Sequence, residues 1–110
     1  MDINEYKKKA SLIRDTSVYK VYDLAELKNL VLSRTELHAG QKTSGHSHEE
    51  ADEVYFFTDG KGKMEIGEET MDCKQGDVFL VPRGKFHRVH NTADSDLIFW
   101  AVFEKYGERK

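Results

Sequence analysis

Four of the chain's five histidines lie in two short stretches, GQKTSGHSHEEADE at residues 40–53 and GDVFLVPRGKFHRVHN at residues 76–91. His46 and His48 stand two residues apart, so on an extended strand both imidazoles point to the same side. Glu53 follows after a predicted turn, and an antiparallel barrel would bring His87 alongside. Three imidazoles and one carboxylate form a suitable donor set for a divalent transition metal. The two stretches therefore predict a metal site assembled from distant parts of the chain.

Glycines divide the middle of the sequence into short segments. Seven of the eight fall between residues 40 and 84, and the segments between them are four to eight residues long. Short strands at this spacing predict an all-β sandwich or barrel. The predicted strands cover residues 18–22, 30–37, 53–58, 63–66, 69–73, 77–81, 86–91 and 96–104, and residues 23–29 are left as a link. Gly67 and Glu68 fit a two-residue hairpin turn.

The N-terminus predicts a short amphipathic helix. Apolar residues recur there at helical spacing: Ile3, Tyr6, Ala10 and Ile13. We expect this helix over residues 3–14, with Asp2 or Asn4 as its N-cap. The domain organisation that follows is a helical extension over residues 1–17 and a single barrel domain over residues 18–110.

The last predicted strand is apolar on both of its faces. Leu97, Phe99, Ala101 and Phe103 share one face, and Ile98, Trp100 and Val102 share the other. Because both faces need cover, the barrel core takes one, and the N-terminal helix, a second sheet or another subunit takes the other. Of these we expect another subunit, which makes the protein a homodimer.

Composition excludes several classes of function. The chain has 110 residues, enough for one domain, and 17 Lys and Arg against 20 Asp and Glu give a net charge of −3. Without a basic excess we expect no nucleic-acid or membrane partner. The longest apolar run is seven residues, too short to span a bilayer, and the polar start carries no secretory signal, so we expect a cytoplasmic protein. The single cysteine, Cys73, is expected to be a half-buried strand residue.

The two histidine stretches resemble the two motifs of the cupin superfamily. The first motif is a glycine, an H-x-H pair, a glutamate and a second glycine, and the second motif is a glycine, P-x-G, a histidine and an asparagine. This chain matches every fixed position at the family's spacing: Gly40, His46, His48, Glu53 and Gly60, then Gly76, Pro82, Gly84, His87 and Asn91. The resemblance covers residues 40–91, about half of the chain, with a short spacer at residues 61–75.

The resemblance implies a fold and a metal site. The fold is a double-stranded β-helix, the cupin or jelly-roll barrel, here with the short N-terminal helix. One divalent metal is held near the barrel axis by His46, His48, Glu53 and His87. Family members use manganese, iron, nickel, zinc, cobalt or copper, and a mixed nitrogen and oxygen donor set accepts several of these ions. The sequence therefore implies a metal without naming it.

Several functions stay open for such a site. Four protein ligands leave two positions of a six-coordinate ion for a bidentate, oxygen-rich small molecule. The chain looks like the small cupins labelled mannose-6-phosphate isomerase-like, so the leading hypothesis is metal-assisted isomerisation or epimerisation of a sugar, sugar phosphate or sugar acid. A metal-dependent dioxygenase and a non-catalytic binding module for a sugar or small acid are the alternatives.

Other residues near the motifs have two interpretations each. Tyr55 shares a strand face with Glu53, so it is the candidate catalytic residue, although a tyrosine packed in the core is the simpler interpretation. Four cations either attract an anionic substrate or are solvated loop charges: Lys42, Arg83, Lys85 and Arg88. His38 and His90 fall outside the metal pattern.

Overall fold

The computed structural model describes residues 1–47 and 49–106. Within this part of the chain a single short helix precedes a series of strands. In chain order the elements are α1 (Ile3–Lys9), β1 (Ser11–Asp15), β2 (Tyr19–Leu24), β3 (Leu30–Leu37), β4 (Glu53–Asp59), β5 (Lys61–Ile66), β6 (Glu69–Lys74), β7 (Val78–Val81), β8 (His87–Asn91) and β9 (Leu97–Glu104). The predicted all-β double-stranded β-helix with a short N-terminal helix is confirmed.

The strands form two antiparallel sheets. The larger sheet has the order β1-β2-β3-β9-β4-β7, and the smaller sheet has the order β6-β5-β8. Two isolated bridges, Lys42 with His90 and His46 with His87, add the segment at residues 42–46 to the edge of β8. The chain between β3 and β4 therefore runs along the smaller sheet before it returns to the larger one.

The core lies between the two sheets because alternate residues of each strand point inward. On β9 the inward residues are buried, whereas Ile98, Trp100 and Val102 on the outer face are only partly buried. Met64 and Val89 from the smaller sheet complete the core. Cys73 also belongs to it and is 2% exposed, so it is more deeply buried than the half-buried position expected. Burial, followed by the charge of Asp77, raises the pKa of its thiol to about 11.

The predicted hairpin between β5 and β6 is present. Its loop consists of Gly67 and Glu68 alone, and Gly67 has a φ of +59°. A positive φ at the first loop position matches the twist of the flanking strands, and glycine adopts it without a steric penalty. The local sequence therefore sets this turn.

The N-terminal region differs from the prediction. The helix begins after Asp2, whose carboxylate accepts from the Glu5 amide at 2.9 Å, but it ends at Lys9. Ala10 is already extended, and residues 11–15 form β1, which pairs with β2. The expectation of helix over residues 11–14 is therefore wrong, because tertiary pairing outweighs the weak local pattern. The boundary expected at residue 17 stays a prediction, and the β1–β2 hairpin crosses it.

Helix α1 covers part of the outer face of the larger sheet. The ring of Tyr6 meets the ring of Trp100 edge to face, with 4.7 Å between the centroids. Farther along the same face Val54, Val78 and Leu80 remain exposed. Of the three covers considered for the outer face of β9, the described residues show the helix, and it reaches only one end of that face. Among the residues described, no helix has the length and apolar character needed to cross a membrane.

Candidate metal centre

Three predicted metal ligands meet inside the barrel. One donor atom each from His46, Glu53 and His87 lies within 4.8 Å of the other two. His46 comes from the segment bridged to β8, Glu53 is the first residue of β4, and His87 is the first residue of β8. The two sheets therefore each contribute to the site.

Backbone pairing fixes the two histidines relative to each other. The His46 amide donates to the His87 carbonyl at 3.1 Å, and the His87 amide donates to the His46 carbonyl at 2.9 Å. Their rings lie edge to face, with 4.5 Å between centroids and 87° between planes. Because both bonds are made by the main chain, the backbone positions of these two histidines are set by the fold itself.

A hydrogen bond also fixes the tautomer of His87. Its Nδ1 lies 3.1 Å from the carbonyl oxygen of Lys85, and since a carbonyl only accepts, Nδ1 carries the proton. The lone pair is then left on Nε2, which lies 3.7 Å from Oε2 of Glu53. Both side chains are 2% exposed. A backbone carbonyl in this position is the usual way to orient a metal-binding imidazole.

The donor chemistry fits a divalent transition metal. Several such ions accept two imidazole nitrogens and one carboxylate oxygen as ligands. The hydrogen bond from Nδ1 of His87 to the Lys85 carbonyl already orients the ring of His87. The fourth predicted ligand, His48, lies outside the described residues, so its role stays a prediction.

Tyr55 lies beside this cluster. Its ring centroid is 5.6 Å from that of His87 and 5.5 Å from that of Phe99, on which it stacks. The side chain is buried at 8% exposure. The geometry is compatible with both interpretations of Tyr55, a packed core residue and a residue close enough to meet a ligand.

The remaining histidines and acids lie elsewhere. His38 pairs with Asp96 at 3.1 Å, and His90 pairs with Glu65 at 3.0 Å on the outer face of the smaller sheet. Asp52, next to Glu53 in sequence, accepts instead from the Arg83 backbone amide at 2.9 Å. That bond and the Arg83 guanidinium hold the pKa of the Asp52 carboxyl below its usual range. Of these two neighbouring carboxylates, Glu53 is the one that lies with the two histidines.

Two of the four cations near the motifs make structural contacts. The Arg83 guanidinium lies 3.3 Å from Asp52 and 3.2 Å from Glu104. Arg88 donates to the carbonyl of Ser44 at 2.7 Å and packs over the ring of Phe86. These contacts favour the interpretation of both arginines as loop charges with local partners.

Sequence reasoning missed one polar residue of the barrel wall. The sequence predicts a link over residues 23–29, but Asp23 lies in β2, opposite Ser33 of β3. It shares a face with the buried Val21, two residues earlier. The alternation of Tyr19, Val21 and Asp23 was the signal that could have revealed it.

Comparison with known proteins identifies the family of this chain. The model of the cupin domain family (Cupin_2) matches residues 33–103. The oxalate-binding protein of Thermotoga maritima is 32% identical over 75 residues, which cover 68% of this chain and 62% of that protein. The glucose-6-phosphate isomerase of Thermococcus litoralis is 33% identical over 105 residues, covering 81% of this chain and 55% of the isomerase. The chain thus spans less than two thirds of the length of either relative.

A solved structure shows the same fold. The Bacillus subtilis oxalate decarboxylase, a protein with Mn(II) centres, superposes with a TM-score of 0.82 at 22% identity. The superposition covers 94% of this chain and 30% of the decarboxylase. At this identity the likeness concerns the architecture of the barrel alone.

Proposed function

The chain belongs to the cupin domain family, and from that premise we propose that it is a mononuclear divalent-metal protein acting on a small oxygen-rich molecule. His46, His48, Glu53 and His87 hold the ion, which is manganese, iron, nickel, zinc, cobalt or copper. The ligand is a sugar, sugar phosphate or sugar acid, and the reaction is an isomerisation or epimerisation.

One observation carries this proposal: donor atoms of His46, Glu53 and His87 lie within 4.8 Å of one another inside the barrel. The Lys85 carbonyl supports it, because it leaves Nε2 of His87 as the metal-binding nitrogen. The isomerase of Thermococcus litoralis, at 33% identity, supports the choice of reaction class.

In this proposal the metal ligands and Tyr55 have separate roles. A bound divalent ion supplies positive charge that polarises a carbonyl or steadies an enolate. His87 and Glu53, both buried, keep their donor atoms in place. The Tyr55 hydroxyl holds or moves the proton at the substrate carbon or oxygen, and the stacked Phe99 ring keeps the phenol oriented. The apolar walls of the barrel exclude water from the reacting atoms.

Metal analysis of purified variants tests the ligand set. We expect about one ion per chain in the wild type, and occupancy well below that in His46→Ala, His48→Ala and His87→Ala, because each loses a nitrogen donor. His90→Ala is the matched control, since His90 lies on the same strand as His87 but pairs with Glu65 on the outer face. Equal occupancy in all four variants would refute the site.

Proton exchange tests the reaction. The metal-loaded protein should exchange the proton on the carbon beside a sugar carbonyl, and Tyr55→Phe should slow this exchange by about 10² while keeping its metal. Unchanged exchange in Tyr55→Phe would remove the proposed role of the phenol. Oxygen uptake with diketones, without proton exchange, would instead support the dioxygenase alternative.

A binding module is the second candidate function. The relative in Thermotoga maritima is named an oxalate-binding protein, and it is 32% identical to this chain. Saturable binding of a sugar or small acid to the metal-loaded protein, with neither proton exchange nor oxygen uptake, would favour this candidate over the isomerase.

A further inference from the structure

The chain between β7 and β8 turns sharply at residues 82–85. The Lys85 amide donates to the Pro82 carbonyl at 3.2 Å, which closes a β-turn. Gly84 has a φ of +82°, whereas no described residue other than glycine has a positive φ. Arg83 and Gly84 therefore have the negative and positive φ of a type II turn, in which proline is also common at the position that Arg83 occupies.

This turn contacts two chain segments of the candidate metal centre. On one side the Lys85 carbonyl accepts from Nδ1 of His87 at 3.1 Å and so orients that ring. On the other side the Arg83 amide donates to Oδ1 of Asp52 at 2.9 Å, and Asp52 directly precedes Glu53. The same turn is thus bonded to His87 and to the residue next to Glu53.

The bond to Asp52 lies where the chain enters β4. Ala51 and Glu53 are buried, and Asp52 between them is exposed. Glu53 is the first residue of β4, and its register partners are Val81 of β7 and Phe103 of β9. The end of an element opens more readily than its middle. A bond to the preceding residue therefore holds the backbone of Glu53 at the point where the strand pairing begins.

The side chain of Arg83 makes weaker contacts than its amide. Its Nε lies 3.3 Å from the same oxygen of Asp52, and its terminal nitrogen lies 3.2 Å from Glu104. All three side chains are more than half exposed, and exposed ion pairs contribute little stability. The contact that fixes Asp52 is therefore the one made by the backbone amide, a donor that every residue except proline has.

We propose that Asp52 is a positioning residue for the candidate metal centre, and that it acts by accepting the backbone amide of Arg83. The inference rests on the proposed function, because it requires that Glu53 binds the ion. Asp52 itself does not touch the ion. It fixes where β4 begins relative to the turn that orients His87, so the carboxylate and one imidazole are placed by the same four-atom-thick segment of main chain.

Titration of the full chain with Mn(II) tests this role from the donor side. Arg83→Pro removes the guanidinium and the amide N–H, and proline suits this position of the turn, whereas Arg83→Ala removes the guanidinium alone. Arg83→Pro should raise the Mn(II) dissociation constant about tenfold, and Arg83→Ala, the matched control, should leave it unchanged. The EPR spectrum of bound Mn(II) reports the arrangement of its ligands, so it should change in Arg83→Pro only.

A second pair of variants tests the acceptor side. Asp52→Ala removes the acceptor, whereas Asp52→Asn removes the charge and keeps an oxygen for the amide. Asp52→Ala should raise the dissociation constant about tenfold, and Asp52→Asn should leave it unchanged. Because Asp52→Ala and Arg83→Pro remove the same bond, the double variant should bind Mn(II) no more weakly than either single variant.

Other outcomes overturn the proposal. Equal weakening by Asp52→Asn and Asp52→Ala would show that Asp52 acts on the ion through its charge. Equal weakening by Arg83→Ala and Arg83→Pro would assign the effect to the guanidinium. Additive losses in the double variant would show that the two residues act separately. Unchanged affinity in Asp52→Ala and Arg83→Pro would show that their bond does not position Glu53.

Two further measurements separate positioning from stability and from the proposed function. Urea denaturation without metal identifies a variant that is unfolded during the titration, and the variant on the other side of the bond then carries the test. If neither Asp52→Ala nor Arg83→Pro folds, or if both fold with lower stability but keep the wild-type affinity and spectrum, the bond is only structural. A wild type that binds neither Mn(II) nor Zn(II) would refute the metal site of the proposed function itself.

Discussion

His87 is held from three directions, and this determines what its ring can do. Its main chain is paired with that of His46, its Nδ1 donates to the Lys85 carbonyl, and its ring edge meets Tyr55. An imidazole restrained in this way loses little further conformational entropy when it binds an ion. Preorganisation of the donor atom, rather than its identity alone, is therefore what the fold adds to the site.

Gly45 directly precedes His46 and has no room for a side chain. Its φ is +79°, and an added Cβ would lie 2.6 Å from Cζ of Phe86 and 2.9 Å from Nε of Arg88. We predict that Gly45→Ala lowers the free energy of unfolding by about 2 to 3 kcal/mol, because it combines a left-handed backbone with overlap of two packed side chains. Metal occupancy should fall as well, since the overlap displaces the segment that carries His46. Urea denaturation and metal analysis measure the two effects.

Gly40→Ala is the control for this prediction. Gly40 has a similar φ of +72°, but an added Cβ would meet no atom within 4 Å. The free energy of unfolding of the control should therefore fall by only about 1 kcal/mol, the cost of a left-handed backbone at a residue with a side chain, and the control should keep its metal. Equal losses in the two variants would show that the contacts with Phe86 and Arg88 do not position His46.

At the scale of elements, α1 is fastened to the larger sheet by two residues. The Tyr6 hydroxyl donates to the carbonyls of Leu32 at 2.6 Å and Tyr22 at 3.0 Å. Lys7 pairs with Glu36 of β3 at 2.8 Å, and Glu36 also pairs with Arg34 at 3.1 Å. The helix has seven residues and would be unstable alone, so these contacts account for its presence in the fold.

The Glu36 contacts make part of the stability depend on pH. Burial alone would raise the pKa of Glu36, but the hydrogen bonds and charges of Lys7 and Arg34 outweigh it and lower the pKa. A lowered pKa contributes stability that is present above the ordinary glutamate value of about 4.3 and is lost as the pH falls through the folded value. We predict that Glu36→Gln lowers the free energy of unfolding by about 1 kcal/mol at pH 7 and by less at pH 3.

Urea denaturation between pH 7 and pH 3 measures this difference. Glu26→Gln is the control, because Glu26 is exposed in the connection between β2 and β3. The difference in free energy of unfolding between the control and the wild type should be the same at every pH in this range. If the difference between Glu36→Gln and the wild type is also the same at every pH, the cluster of Lys7, Arg34 and Glu36 contributes no pH-dependent stability.

The elements also show which parts of the structure a sequence can specify. Strands β3, β4 and β9 were predictable because their apolar residues alternate, and the Gly67 turn was predictable from its glycine. Strand β1 was not, because a five-residue segment with little buried surface becomes a strand only by pairing with β2. The spacing of the motifs predicted that three candidate ligands would lie close together. The alternation of Tyr19, Val21 and Asp23 indicates a strand, but the position of Asp23 opposite Ser33 depends on the register of β2 with β3, which the sequence of β2 alone does not give.

At the scale of the whole molecule, the outer face of the larger sheet has an uncovered end. The register aligns Leu80, Val54, Val102 and Leu32 in one apolar row across four strands. Helix α1 packs against β1 and β2 at one end of the sheet, whereas Leu80 is 71% exposed and Val54 is 38% exposed at the other. The row ends at β7, the edge strand of the sheet. An exposed apolar face beside a strand edge is the kind of surface that a second copy of the chain can cover by two-fold symmetry.

The homodimer expected from the sequence stays a prediction, and this face is where we expect it to form. Leu80→Glu should raise the dimer dissociation constant at least about a hundredfold, because it places an unpaired charge in the middle of an apolar contact. Leu27→Glu is the matched control, since Leu27 is 65% exposed in the connection between β2 and β3, at the opposite end of the apolar row from Leu80. Sedimentation equilibrium should give two chains for the wild type and the control, and one for Leu80→Glu. A wild type that sediments as one chain at high micromolar concentration would contradict the homodimer, and two chains in all three proteins would place the interface elsewhere.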